Sequence, residues 1–81
     1  MITYEQVPVA ARNNDPQLKA IEAELIELDN AYYSALDWHV KGLITPQRMV
    51  AIGRKWNRER AAIATRAHVR LQEMAAEFAP A

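Results

Sequence analysis

The sequence predicts an all-α fold: an antiparallel hairpin of two long helices that carries an extended N-terminal arm and assembles as a dimeric four-helix bundle. Good helix formers such as alanine, leucine, glutamate and arginine are abundant, and only two glycines interrupt the chain. Two helix-start signals, each containing a proline, stand at residues 15–16 and 45–46. Apolar residues after both signals recur every three or four positions, as they do along one side of a helix.

Length and charge bound the possible functions. A monomer of 81 residues is one small domain that buries only about 60% of its unfolded surface, so we expect oligomerisation to add stability. Ten basic and ten acidic side chains cancel, which argues against a strongly nucleic-acid-binding or membrane-surface protein. Residues 1–11 do not resemble a signal peptide, and no stretch approaches the roughly 20 apolar residues of a membrane span. We therefore expect a cytoplasmic protein that makes no membrane contact.

Residues 1–14 are predicted to form the extended arm. Pro8 and the pair Asn13-Asn14 disfavour a long helix or strand in this segment. Its apolar residues alternate along the chain: Ile2, Tyr4, Val7 and Val9. They either cover the open groove of the hairpin or contact a partner or a second subunit, and the sequence leaves both alternatives open.

The first long helix is predicted at about residues 16–41. Asp15 is a good N-cap residue, and Pro16 suits the first helical position, where no backbone N–H is needed. Gly42 is expected to end the helix because glycine adopts the left-handed conformation after a helix end without steric cost.

The second long helix is predicted at about residues 46–78, after a turn at residues 42–45. Thr45 and Pro46 repeat the start signal of the first helix. Because so few residues connect the two helices, they must pack antiparallel. Residues 15–81 therefore form the predicted hairpin.

The turn at residues 41–46, KGLITP, resembles the Gly-Leu-Ile-Thr corner of short helical-hairpin modules such as the SHOCT family. The resemblance covers only these residues. Arg48-Met49 stand where that family usually has a glutamate followed by an aromatic residue. The resemblance implies a shared turn geometry and no shared function.

One side of the first long helix carries an unbroken apolar seam with the alternating three- and four-residue spacing of coiled coils. Its members are Leu18, Ile21, Leu25, Leu28, Tyr32, Ala35 and His39. A second apolar stripe runs beside the seam and consists of Ile26, Tyr33, Leu36 and Val40. One facing helix cannot cover both, so we predict that the stripe is a homodimer interface and that two hairpins complete a four-helix bundle.

The second long helix also gathers its apolar residues on one side. They are Met49, Ile52, Trp56, Ile63, Ala67, Leu71, Met74 and Phe78. Gly53 weakens this helix by about 1 kcal/mol relative to alanine, and we expect it to lie opposite Ala35 and permit a close helix crossing. Tyr32 and Trp56 are predicted to stack inside the hairpin.

Charge is divided between the two helices. Residues 15–41 hold six acidic and two basic side chains, whereas residues 46–78 hold seven basic and three acidic ones. We expect Asp29 to pair near Arg58 and Glu22 to pair near Arg66, each exposed pair contributing at most about 1 kcal/mol while fixing the register. The alternative is that Glu22 and Asp29, which lie within the apolar surface, form a docking site for a basic partner.

Catalysis and metal binding are not indicated. His39 lies on the seam and His68 lies toward the opposite end of an antiparallel hairpin, so the two imidazoles cannot easily meet within one subunit. The chain has no cysteine, no paired metal-ligand motif, no phosphate-binding glycine loop and no nucleophile elbow. We therefore predict a protein that is not an enzyme and uses no cofactor or metal.

The sequence indicates a binding protein. We expect a homodimeric adaptor or inhibitor that docks on another protein, by analogy with small alanine-rich phage and mobile-element products that occupy a host protein's surface. Trp38 falls off the seam near the turn, and exposed tryptophans are frequent binding hot spots. The predicted partner-contact residues are Trp38, Asp37, Lys41, Arg54 and Arg58.

Nucleic-acid binding is the alternative function. Basic side chains share one broad side of the second long helix and could follow a phosphate backbone. They are Arg48, Arg54, Lys55, Arg58, Arg66 and Arg70. The zero net charge and the absence of a recognition motif favour instead a solvated surface that is balanced by the acidic helix.

Overall fold

A computed structural model describes residues 7–78 of the chain. Within this range there are three helices and no strand: α1 (Val9–Asn14), α2 (Pro16–Val40) and α3 (Pro46–Glu77). The all-helical prediction is confirmed, and the two long helices begin and end within one residue of their predicted limits. They pack side by side and antiparallel in a molecule that measures 58 × 22 × 15 Å.

Both long helices begin with the predicted caps. The Asp15 carboxylate accepts a hydrogen bond of 3.0 Å from the backbone N–H of Leu18. The Thr45 hydroxyl accepts a corresponding bond of 3.1 Å from the N–H of Arg48. Each cap satisfies one of the backbone donors that a helix N-terminus leaves without an intrahelical partner.

The turn between α2 and α3 is built around Gly42, which has a φ of +75°. The N–H of Gly42 donates to the carbonyl of His39, and the N–H of Leu43 donates to the carbonyl of Trp38 at 2.8 Å. These two bonds are the Schellman pattern, which satisfies carbonyl groups at a helix C-terminus. The prediction that Gly42 ends the first long helix in a left-handed conformation is confirmed.

Replacing Gly42 with valine is expected to destabilise the protein by about 1 kcal/mol or more. A Cβ atom at this position would have no neighbour within 4 Å, so the cost comes from the positive φ and not from a clash. Gly42→Asn is the matched control because asparagine tolerates the left-handed conformation better. Thermal unfolding of the three proteins checks the prediction. It is wrong if the valine variant melts at the temperature of the parent.

The seam of α2 packs against α3 as predicted, since every seam residue is buried or half-buried. Tyr32 and Trp56 stack with ring centroids 4.4 Å apart and an interplanar angle of 15°. The expectation for Gly53 needs correction: the nearest side chain to a Cβ built there is the Tyr32 ring, at 3.9 Å, and not Ala35. That separation is an ordinary contact, so the helix crossing does not require a glycine at this position.

Phe78 also departs from the predicted buried face of the second long helix, because its side chain remains 46% exposed. The start of α2 meets α3 at Arg70, where Asp15 binds the guanidinium group. Phe78 lies two turns beyond that point, where no part of α2 faces it.

The prediction of an extended arm is wrong for residues 9–14, which form the short helix α1. Val7, just before α1, is 1% exposed and belongs to a buried cluster with Met74 and Ala75, against which Ala11 and Leu18 pack. Val7 therefore packs on the hairpin, as the covering alternative predicts, whereas Val9 of the same predicted set remains 60% exposed. The predicted roles of Ile2 and Tyr4 fall outside the described residues.

Candidate functional site

The apolar stripe of α2 lies on the surface of the hairpin. Ile26, Tyr33 and Val40 follow one another at seven-residue intervals, which places them in one line along the helix. Their side chains are 53%, 62% and 84% exposed, and Leu36 between them is half-buried. Neither α1 nor α3 covers this line, as its position beside the seam predicts. Its pairing with a second copy stays a prediction.

The surface of the whole chain is large for its mass. The accessible area is 6053 Å², whereas a compact monomer of 9.2 kDa exposes about 4,900 Å². The Cα radius of gyration of 17.1 Å likewise exceeds the roughly 12 Å of a compact domain of this length. Both differences reflect the elongated shape of a hairpin of two long helices.

The side chain of Asp29, which lies beside the stripe, is hydrogen-bonded to two residues of α3. Its carboxylate accepts hydrogen bonds from both the Arg60 guanidinium, at 2.7 and 2.8 Å, and the Trp56 indole N–H, at 2.9 Å. These contacts, with that of Arg60 the stronger, lower the pKa of the Asp29 carboxyl from its usual value. The predicted partner Arg58 is corrected to Arg60, because Arg60 follows Trp56 by one helical turn and both side chains therefore reach the same carboxylate.

The second predicted ion pair is corrected in the same way. Arg66 binds Glu24 and not Glu22. Glu22 and Glu24 are two residues apart, which turns their side chains about 200° from each other around α2, and Arg66 lies on the Glu24 side. Among the residues from 7 to 78, Glu22 makes no ion pair, so it stays beside the stripe as an uncompensated carboxylate.

Asp15 forms an ion pair that the sequence analysis did not predict. Arg70 donates two hydrogen bonds to its carboxylate, from Nε at 3.0 Å and from a terminal nitrogen at 2.6 Å. Both side chains are largely buried, and Glu73 and Glu77 also approach the guanidinium at 3.3 and 3.7 Å. The Arg70 hydrogen bonds lower the pKa of Asp15, and they raise that of Arg70. The Asp15 carboxylate therefore caps α2 and also links α2 to α3 through its ion pair with Arg70.

The predicted contact site at the hairpin tip is accessible. Trp38 is 49% exposed, and its neighbours Asp37 and Lys41 form an exposed ion pair of 2.8 Å. Leu43 in the turn is also exposed. Val7 does not cover Trp38, because it packs on Met74 at the other end of the hairpin.

Arg54 and Arg58 do not lie with the tip residues. Each stands two positions from Trp56, so each points about 200° away from the tryptophan that faces α2. Both are exposed and carry no ion pair within residues 7–78. The five predicted partner-contact residues therefore divide into two separate patches, the tip around Trp38 and the outer side of α3.

A shallow groove, which the sequence analysis also missed, follows the boundary between α2 and α3 on the side opposite the stripe. It consists of three open cavities of about 430, 370 and 530 Å³, connected through shared lining residues. Glu24 and Ala31 line it, and each is two residues before a stripe residue, which places the groove and the stripe on opposite sides of α2. Trp38 lies two turns beyond Ala31 on the same side of α2, past the residues that line these cavities.

The potential metal ligands of the described residues are dispersed. Within residues 7–78, no three His, Asp or Glu side chains come close enough to hold a metal ion. His39 is half-buried, and its Nδ1 atom has no hydrogen-bond partner in the described part of the chain. No helix in this range has the length and hydropathy needed to cross a bilayer.

Comparison of the chain with protein-family models, with curated proteins and with solved structures finds no match. No family model matches the turn at residues 41–46.

Proposed function

We propose that the protein is a non-enzymatic protein-interaction module, a homodimeric adaptor or inhibitor that docks on another protein. The observation that carries the proposal is the exposed stripe of Ile26, Tyr33 and Val40. A second copy covers this stripe, and the hairpin tip around Trp38 contacts the partner protein.

The stripe has the composition of an interface centre. Aromatic and large aliphatic side chains are enriched at the fully buried centres of protein interfaces, and charged residues flank them. Here Tyr33 and Ile26 occupy the line itself, whereas Asp29 is already neutralised by Arg60 and the Trp56 N–H. Covering the stripe therefore removes apolar area from water without leaving the Asp29 carboxylate unpaired.

The tip supports the docking part of the proposal. Trp38 is anchored on α2 immediately before the Schellman turn, so its backbone is held by hydrogen bonds while about half of its side chain is exposed. A large aromatic ring on a fixed backbone loses little conformational entropy when a partner covers it. These properties are typical of a binding hot spot.

Replacing Trp38 with alanine is expected to leave the helix content and the melting temperature unchanged while weakening partner binding by about 2 kcal/mol or more, which is roughly 30-fold. Phe78→Ala is the matched control, since Phe78 is similarly exposed but lies at the far end of the hairpin. Affinity capture from an extract of the native host, with the parent and both variants as baits, identifies proteins that only Trp38→Ala fails to retain. A lower melting temperature for Trp38→Ala would instead show that the Trp38 ring stabilises the fold and is not a partner contact.

Nucleic-acid binding is a second candidate because Arg48, Arg54 and Arg58 are exposed and make no ion pair within residues 7–78. The remaining basic residues of the predicted phosphate-binding side support it less. Arg66 and Arg70 bind carboxylates of the same chain, and Lys55 lies 3.8 Å from Glu59. The alternative predicts that affinity for a mixed-sequence oligonucleotide falls steeply between about 50 and 200 mM salt. Docking on a protein through an apolar tip changes little over this range.

A further inference from the structure

We infer that the two hairpins of the dimer are related by an axis parallel to their helices, so that both hairpin tips lie at the same end. The inference rests on the proposed dimer and names how the second copy covers the stripe. A face-to-face pair of hairpins has two simple symmetric arrangements. With a parallel axis, each α2 lies between its own α3 and the α3 of the partner subunit. With a perpendicular axis, α2 lies beside α2 and α3 lies beside α3.

Charge distinguishes these arrangements. Residues 15–41, which contain α2, carry four more acidic than basic side chains, and residues 46–78, which contain α3, carry four more basic than acidic ones. The perpendicular axis would bring two acidic helices together on one side of the bundle and two basic helices together on the other. Such like-charge contacts are unfavourable at interfaces. The parallel axis places an acidic helix next to a basic one at every boundary of the four-helix bundle.

The parallel axis also fixes the register of the contact. Rotation about such an axis does not change the height of a residue along the bundle. Two residues that lie at the same height within one hairpin therefore also lie at the same height when one of them belongs to the partner subunit. The contact between Tyr32 and Gly53 places Tyr33 level with Gly53. The ion pairs Asp29–Arg60 and Glu24–Arg66 lie on either side of Ile26 and place it level with residues 60–66.

The facing side of α3 is complementary in size to the stripe. Gly53, Arg60 and Ala64 are separated by seven and four residues, so they lie on one side of α3. This side faces the stripe, because Arg60 binds Asp29 there. In the parallel arrangement, Tyr33 therefore faces Gly53 of the partner subunit, and Ile26 faces Ala64 of the partner subunit. Exposed large side chains on α2 are matched with a glycine and an exposed alanine on α3.

The arrangement has a functional consequence. Two copies of Trp38 and Leu43 stand at the same end of the dimer, separated by the width of the bundle and not by its length. A partner that offers two equivalent sites then engages both tips, and the second contact forms at high effective concentration.

Two distances within the dimer test the inference. The chain has no cysteine, so single variants Gln47→Cys, at the tip, and Gln72→Cys, near the open end, accept one spin label per subunit at exposed positions. Pulsed electron paramagnetic resonance then measures the distance between equivalent labels. The parallel axis predicts two short distances, each about 30 Å or less, because helices in a bundle are only about 10 Å apart.

The perpendicular axis predicts a different pair of label distances, at whatever height along the bundle the axis lies. The two labelled sites are 25 residues apart in α3, which is about 38 Å along the helix. At least one of the two distances must then be about 38 Å or longer. Sedimentation of each labelled variant is measured first. A monomer overturns the proposed dimer together with this inference, whereas a dimer with one long distance overturns the inference alone.

Discussion

Replacing Tyr33 with glutamate is expected to convert the dimer into a folded monomer. The side chain is 62% exposed in the isolated hairpin, so the substitution leaves the seam and the α2–α3 contact intact. In the dimer the same position is covered, and an unpaired carboxylate there is costly. Because each dimer contains the change twice, we expect the dissociation constant to rise at least about 100-fold. Sedimentation and circular dichroism measure the two effects separately.

Two further variants sharpen this prediction. Ile26→Glu, seven residues earlier on the stripe, should act in the same way because its side chain is also mostly exposed in the hairpin. Val69→Glu is the control: Val69 is a similarly exposed apolar residue, but it lines the groove on the other side of the hairpin. A dimer that persists in both stripe variants, or that is lost equally in the control, would contradict the assignment of the interface.

Replacing Asp15 with alanine is expected to lower the melting temperature more than any other single carboxylate substitution in the described chain. The carboxylate caps α2 through the Leu18 N–H and accepts two hydrogen bonds from Arg70. Alanine removes both functions and leaves a largely buried guanidinium with only the more distant Glu73 and Glu77. Removing one member of such a pair is more costly than removing an exposed ion pair.

Thr45→Ala is the reference for this experiment because it removes a cap without an ion pair. It should cost about 1 kcal/mol, or roughly 4–8 °C for a domain of this size, and Asp15→Ala should exceed it at equal protein concentration. Asp15→Asn should lie between them, since asparagine can cap the helix but carries no charge. Equal melting temperatures for Asp15→Ala and Thr45→Ala would show that the Arg70 contact adds no stability.

The same ion pair predicts how stability depends on pH. The Arg70 hydrogen bonds hold the folded-state pKa of Asp15 below its ordinary value of 3.8, and Arg60 and Trp56 do the same for Asp29. A lowered pKa means that the unfolded chain binds protons first as the pH falls. The stabilisation is therefore fully present well above pH 3.8 and is lost as the pH falls through the lowered values. Asp15→Asn should make this acid-induced loss shallower without abolishing it, because Asp29 remains.

Features that depend on neighbouring residues in the sequence could be predicted. The caps Asp15 and Thr45 and the stop at Gly42 each act through backbone groups within a few positions, so their effect does not depend on the rest of the fold. The seam of α2 was also predictable because helical periodicity alone places its members on one side. The exposure of the stripe followed from the same periodicity.

Features that depend on the rotation of one helix against another were predicted less well. Asp29 was expected near Arg58 and meets Arg60, and Arg66 was expected near Glu22 and meets Glu24. A shift of two residues along a helix turns a side chain by about 200°, so an approximate register cannot identify a partner. The stacking of Tyr32 on Trp56 was predicted, but Gly53 was expected opposite Ala35 and lies beside the Tyr32 ring instead.

The ends of the chain gave the weakest sequence signal. Residues 9–14 are too few to show a helical period, and α1 is stabilised by long-range contacts that place Val7 and Ala11 on α3 and the start of α2. Asp15 and Arg70 are separated by 55 positions, so the sequence identified the cap but not its ion pair. The run Ala10-Ala11-Arg12 after Pro8 was the available signal for a short helix, since alanine and arginine favour helices.

Sedimentation equilibrium of the unmodified protein at micromolar concentrations tests the central claim most directly. A homodimer formed through the stripe predicts a reversible association to twice the chain mass of 9.2 kDa, with the dimer favoured as the concentration rises. The dimer should weaken only modestly between low and moderate salt, because the stripe is apolar and exposed charge pairs between the acidic and basic helices contribute little. A single species with the mass of one chain at every concentration would contradict the account, because the stripe would then be exposed in the native protein.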